Sequence, residues 1–170
     1  MKDLSRITGY GCIVAGVGPA GMGFLFNALK TGQITTLARH GLLILDAGGT
    51  HASGKLGAGR LGEYRITANS VGDVFLDCLR DPALADVLAP LEGASALVLA
   101  HITALPGVEM WCGTSLDTLQ YLDGTSILTL SHEPEVAQRT SRLRTENLVL
   151  NLGGQQCPER LTQSLNRQGL

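Results

Sequence analysis

The stretch YGCIVAGVGPAGMGFLFNALKTG, Tyr10 to Gly32, decides how this chain folds. Tyr10–Ala15 is an apolar run of strand length. From Ala20 to Lys30, apolar residues recur at Ala20, Phe24 and Ala28 and at Leu25 and Leu29, a helical spacing, and Gly32 stands where that helix should stop. Between strand and helix lies Gly16-Val17-Gly18-Pro19-Ala20-Gly21, a GxGxxG in the only context that gives the pattern meaning. Gly16 permits the tight turn out of the strand, Gly18 lets a pyrophosphate reach the backbone, and Gly21 lets the helix pack closely. The helix start then offers unpaired amides and about half a positive charge to phosphate.

Further along, Leu42–Leu45 is an apolar run without alternation, the mark of a strand covered on both faces in a parallel sheet. It runs into Asp46-Ala47-Gly48-Gly49. Asp46 follows Gly21 by 25 residues, close to the spacing of about 20 expected for the carboxylate that takes a ribose hydroxyl. An acid there also repels a 2′-phosphate. Gly54-Lys55 is no P-loop, because it lacks GxxxxGK[ST].

The rest of the chain continues the alternation of strand and helix. His51–Gly62 is a glycine-rich loop, and Ser70 with Asp73 forms a capping box ahead of a helical pattern. Pro82 restarts a helix, and a further helix spans about Gly93 to Ala104, closed by Pro106-Gly107. Val108–Cys112 is strand-like, and Ser115–Leu122 and Thr125–Ser131 alternate around Asp123-Gly124, a type I′ hairpin signal. Arg139–Arg144 reads as an exposed polar stretch and Leu148–Leu150 as one more buried strand. The expected fold class is α/β: a Rossmann-like parallel sheet with flanking helices and a β-meander or hairpin insertion, in one domain over residues 1–170.

Composition limits the function classes. Of 170 residues, 44% are hydrophobic and 16% charged, so the chain builds a core rather than staying disordered. A net charge of −2 and 4% aromatics argue against nucleic acid. Charge is uneven: residues 81–138 hold eight acids and no Lys or Arg. The uncharged run Ile7–Leu29 contains six glycines and Pro19, too many for a membrane span or signal sequence. The expectation is a soluble, cytoplasmic protein. Cys12, Cys78, Cys112 and Cys157 have no metal or redox spacing and read as small buried hydrophobes. His40, His51, His101 and His132 show no ligand spacing, and Trp111 reads as core. No metal site and no hydrolase motif is visible.

With GVGPAG at Gly16–Gly21, the sequence resembles the FAD-dependent oxidoreductases with a glutathione-reductase-like FAD/NAD(P)-binding domain. Two further segments carry the resemblance. Val108–Ser115 is similar to the family's third strand and turn, which implies that Thr114 and Ser115 border the adenine. Asn147–Gly154 is similar to the strand ending in Ala-Thr-Gly that closes over FAD, with Asn151 and Leu152 in place of Ala-Thr and only Gly153 kept. The hairpin at Asp123-Gly124 falls where the family has its β-meander. The resemblance implies FAD at Gly16, Gly18, Pro19, Ala20, Gly21, Asp46, Ala47, Gly48, Thr114, Ser115 and Gly153. Arg60, with Lys55 and Arg65, lies in a loop that passes near the flavin in such folds, although surface charge explains these residues equally well.

The implied activity is that of a flavin-dependent oxidoreductase, a monooxygenase or reductase, moving hydride through the flavin. NAD(P)H would be a co-substrate and a small molecule the substrate. The family's later Gly-Asp motif and its second dinucleotide domain are not found before Leu170. That departure leads us to expect an incomplete, N-terminal portion of a longer flavoprotein, with another domain or subunit supplying the rest of the flavin site. No catalytic side chain is marked. Two other readings use the same residues: a dinucleotide-binding module without catalysis, and an NAD-binding dehydrogenase domain. Pro19-Ala20 inside the motif and the hairpin near Asp123 favour FAD.

Overall fold

A computed structural model describes residues 7–48, 65–66, 79–80, 89–132 and 141–151. The first strand, β1 (Thr8–Ala15), leads through the glycine turn into α1 (Pro19–Lys30). A second short helix, α2 (Ile34–Arg39), precedes β2 (Leu42–Leu45). The two-residue strands β3 (Arg65–Ile66) and β4 (Ala89–Pro90) pair antiparallel, and α3 (Leu91–Thr103) follows. Then come β5 (Val108–Trp111), β6 (Thr114–Leu122), β7 (Thr125–His132) and β8 (Ser141–Leu150).

Among the described residues, six strands form one sheet in the order β5-β2-β1-β8-β7-β6. The pairs β5–β2, β2–β1 and β1–β8 are parallel, and β8–β7 and β7–β6 antiparallel. The chain lays β2 and β5 on one side of β1, then crosses to place β8 on the other. That reversal makes the β1–β8 boundary a topological switch point, where open α/β sheets form their ligand crevice. The hairpin extends the same sheet. Asp123 (φ 49°) and Gly124 (φ 77°) both have positive φ, as a type I′ turn demands.

Strand alternation sorts the core into two layers. Cys12, Val14, Leu42 and Ile44 point to the face covered by Met22, Leu25 and Phe26 of α1 and by Val98 and Ile102 of α3. Ile13, Leu43 and Leu45 point the other way and meet Leu128, Leu130 and Leu143 of the antiparallel strands. All four residues of β2 are buried, as its unbroken apolar run implies.

The structure corrects several expectations. The buried stripe of α1 contains Met22, Leu25, Phe26 and Ala28, while Ala20 is exposed, on the side of the helix away from that stripe. The helix α2 was not expected; its six residues are too few to show a period. The strand expected at Leu148–Leu150 begins at Ser141, so the described part of the stretch read as exposed, Ser141–Arg144, is strand. Within it Leu143 and Thr145 point inward while Arg142 and Arg144 point out, and paired β7 and β1 on its two sides override the polar composition. Its end is less covered than expected: Leu148 and Val149 are half-buried and Leu150 is exposed. Arg65, read as loop, lies in β3. The loop His51–Gly62 with Lys55 and Arg60, the helices after Ser70 and Pro82, and Gly153 lie outside the described residues. Among the described residues, no helix is long and apolar enough to cross a membrane.

Candidate nucleotide-binding site

At the C-terminal end of β1 the chain turns on Gly16 (φ +91°). A Cβ there would collide with the backbone carbonyl of Asn151, the residue just beyond β8, so β1 and β8 can converge only around a glycine. A Cβ on Gly21 would strike the carbonyl of Gly16, so the helix start is folded down onto the turn itself rather than merely onto the sheet. Gly18 differs from both. A Cβ on it would meet nothing within 4 Å, so its missing side chain leaves open space in front of the helix.

Gly18 is the N-cap of α1 and Pro19 its first residue; no side chain caps this end and no acid lies in the first turn. The amides of Ala20 and Gly21 therefore have no partner within the helix. Together with the dipole they form a site suited to an anion.

Asp46 is 7% exposed, and its carboxylate spans the site. Its Oδ2 accepts from the Val17 amide at 3.0 Å and its Oδ1 from the Gly48 amide at 2.8 Å. Asp46 thus ties the glycine turn to the end of β2, a structural role that sequence spacing did not reveal. Its backbone continues the brace: its amide donates to the Trp111 carbonyl and its carbonyl accepts from the Thr114 amide, both at 3.0 Å. The Gly113 amide donates to the Gly48 carbonyl at 2.7 Å.

These bonds bring the turn after β5 beside the turn after β1. A crevice results, lined by Ala15, Gly16, Leu45, Ala47, Thr114, Ser115 and Leu116. Of the sequence candidates, Gly16, Gly18, Pro19, Ala20 and Gly21 form the turn and helix start, and Asp46, Ala47, Gly48, Thr114 and Ser115 adjoin them. Thr114 is buried, Ser115 exposed. Thr114 Oγ1 donates to the Cys112 carbonyl at 3.2 Å and lies 3.1 Å from His132 Nδ1. On its other side, His132 Nε2 lies 3.1 Å from Ser141 Oγ. His132 thus joins β6, β7 and β8 through side-chain contacts. No spacing could have marked it, because its partners are 18 and 9 residues away in sequence. Trp111, half-buried rather than fully core, stacks edge-on to Tyr10 with ring centroids 6.2 Å apart. Tyr10 Oη donates to Glu109 Oε2 at 2.9 Å. Burial, then that bond, then the charge of Glu109 push the Tyr10 hydroxyl up to about 12.

Cys112 departs from the expectation of a buried hydrophobe, for it is exposed, whereas Cys12 is buried. The Cys112 thiol is pushed upward, first by local desolvation and then by the negative charge of Asp46. Less thiolate is then present near neutral pH, and thiolate is the reactive form. Iodoacetamide at pH 7.5 should therefore alkylate Cys112 several-fold more slowly than a free thiol peptide, and faster in Asp46→Asn. Equal rates in the two proteins, read by mass spectrometry of the Cys112 peptide, would remove Asp46 as a cause.

No family model matches the sequence. Over 89 residues the chain is 35% identical to the CMP-5'-(3-aminopropyl)phosphonate hydroxylase of Streptomyces rubellomurinus, a match covering 52% of this chain and 19% of the hydroxylase. Its fold is similar to that of the polycyclic ketone monooxygenase from the fungus Thermothelomyces thermophila, with TM-score 0.60 and 16% identity over 90% of this chain and 24% of that one. The p-nitrophenol 4-monooxygenase of Pseudomonas putida gives TM-score 0.57 and 16% identity over 90% of this chain and 43% of that enzyme. THI4 of Thermovibrio ammonificans gives TM-score 0.61 and 15% identity over 95% of this chain and 63% of that protein. The chain thus spans less than two thirds of each of these proteins. The parallel strands, the glycine turn and these likenesses agree on a Rossmann-like α/β fold with an antiparallel extension of the same sheet.

Proposed function

We propose that this chain is the FAD-binding part of a flavin-dependent oxidoreductase of the monooxygenase or hydroxylase kind, acting on a small molecule with NADH or NADPH as reductant. The observation that carries the reading is the site at the switch point. An uncapped helix start faces open space at Gly18, and Asp46 stands at the end of the neighbouring strand. The match to a hydroxylase and the fold shared with monooxygenases support the redox class.

The residues fit a dinucleotide. Ala20 and Gly21 supply donors for the pyrophosphate, and Gly18 supplies the gap through which it approaches. Each Asp46 oxygen keeps a second lone pair after its amide bond, available to a ribose hydroxyl. Ala47, Thr114 and Ser115 border the space for the adenosine end. The flavin itself supplies the redox chemistry, while the protein binds it, orients it and sets its electrostatic surroundings. Arg60, Gly153 and a further domain or subunit belong to the proposal as the remaining walls of the site, in a cytoplasmic enzyme.

The test is direct. The purified chain is examined for flavin absorption in the visible and titrated with FAD and with NAD, following the fluorescence of Trp111, the chain's one tryptophan. Saturable FAD uptake with weaker or no NAD binding is expected. Saturable NAD binding without flavin uptake would move the chain to the dehydrogenase reading, and binding of neither would defeat both.

A further inference from the structure

We propose that the side-chain amide of Asn151 is a positioning residue for the nucleotide, donating through Nδ2 to the diphosphate; the proposal rests on the dinucleotide reading above. Asn151 follows β8 at the switch point, held there by its own amide, which donates to the Ala15 carbonyl at 2.8 Å. Its backbone carbonyl occupies the place that a Cβ on Gly16 would need. Its Nδ2 lies 3.4 Å from the place that a Cβ on Gly21 would take, against the first turn of α1. Both glycines of the turn thus make room for the same residue.

That Nδ2 is buried and has no hydrogen-bond partner. Buried donors are normally paired, and one left open is a standing cost to the fold. The neighbouring amides of Ala20 and Gly21 also lack partners within the helix. A cluster of donors with no protein acceptor is complementary to a group that carries several charged acceptor oxygens and no donors. A diphosphate is such a group, and charge-assisted bonds to it are the stronger kind. The family pattern has alanine at this position, so a side-chain donor here is a feature of this chain's own sequence.

The experiment measures affinities of the 170-residue chain for FAD, ADP and adenosine by titration calorimetry, with thermal melts in the absence of ligand. For Asn151→Ala, affinity for FAD and ADP should fall at least about tenfold while that for adenosine stays unchanged. Asn151→Asp keeps the size, removes the donors and sets a negative charge toward the phosphates. Its affinity for ADP should fall further, by roughly a hundredfold, and the melt without ligand shows that the variant is folded. This variant keeps the test decisive if the alanine protein does not fold. Wild-type affinity for ADP in either variant would overturn the proposal. So would an equal loss for adenosine and ADP, which signals a collapsed site rather than a missing phosphate contact. If the wild-type chain binds neither FAD nor ADP, the proposed function itself falls and this inference with it; the separate ligand series tells the two failures apart.

Discussion

Gly18→Val should abolish nucleotide binding and leave the protein as stable as before. The two halves of that expectation have separate physical grounds. Gly18 sits at φ −63° and ψ −170°, an extended conformation open to valine, and a Cβ there meets nothing within 4 Å. A substitution that touches nothing changes stability by no more than about 0.5 kcal/mol. The space it fills is the approach to the amides of the first helical turn. Losing two hydrogen bonds to a charged oxygen costs roughly 3–6 kcal/mol. At 1.4 kcal/mol per decade this weakens binding more than about a hundredfold. Quenching of FAD fluorescence and a thermal melt without ligand read the two quantities. A valine variant that takes up FAD like the wild type would show that the phosphates do not enter in front of Gly18.

Gly21→Ala should have the opposite profile. Its Cβ is driven against the Gly16 carbonyl, which is main chain inside a turn and has no side-chain freedom to yield. Overpacking of this kind costs about 1–3 kcal/mol and sometimes more. Alanine regains about 1 kcal/mol of helix propensity over glycine, which does not offset a backbone collision. A collision with main chain stands at the upper end of that range, about 3 kcal/mol, so the net loss of about 2 kcal/mol lowers the melting temperature of a chain this size by roughly 4–8 °C. Gly18 and Gly21 are three residues apart in one motif, yet one substitution should cost binding alone and the other stability first. If Gly21→Ala melts with the wild type, the turn is not folded down onto Gly16.

Much of this was legible in the residues. The strand at Leu42–Leu45 declared itself because an unbroken apolar run has to be covered on both faces. The Asp123-Gly124 turn did so because few dipeptides tolerate two positive φ values in succession. The glycine motif could be read because it fell between a strand pattern and a helix pattern. What escaped was whatever depended on a neighbour distant in sequence. Strand β8 hid in Ser141–Thr145 because alternating arginines look like loop until β1 and β7 are known to flank them. His132 showed no ligand spacing, and nothing local says that Thr114 and Ser141 meet it. Asp46 was marked by its spacing as a ribose ligand, but spacing is silent about the amides of Val17 and Gly48 that occupy one lone pair of each oxygen.

The sequence by itself determined the class of fold, the order of its main elements and the segment that faces a phosphate. Those follow from periodicity and from the conformations that glycine, proline and aspartate permit, which are properties of residues and their near neighbours. Only the tertiary structure decided which strand lies beside β1 on its far side, and so where the switch point falls. It alone showed what the two closed glycines press against, Asn151 for Gly16 and Gly16 for Gly21, and placed an unpaired amide of Asn151 beside the turn. Those outcomes depend on how closely backbones 135 residues apart approach each other, and steric exclusion at that range is written into no local pattern.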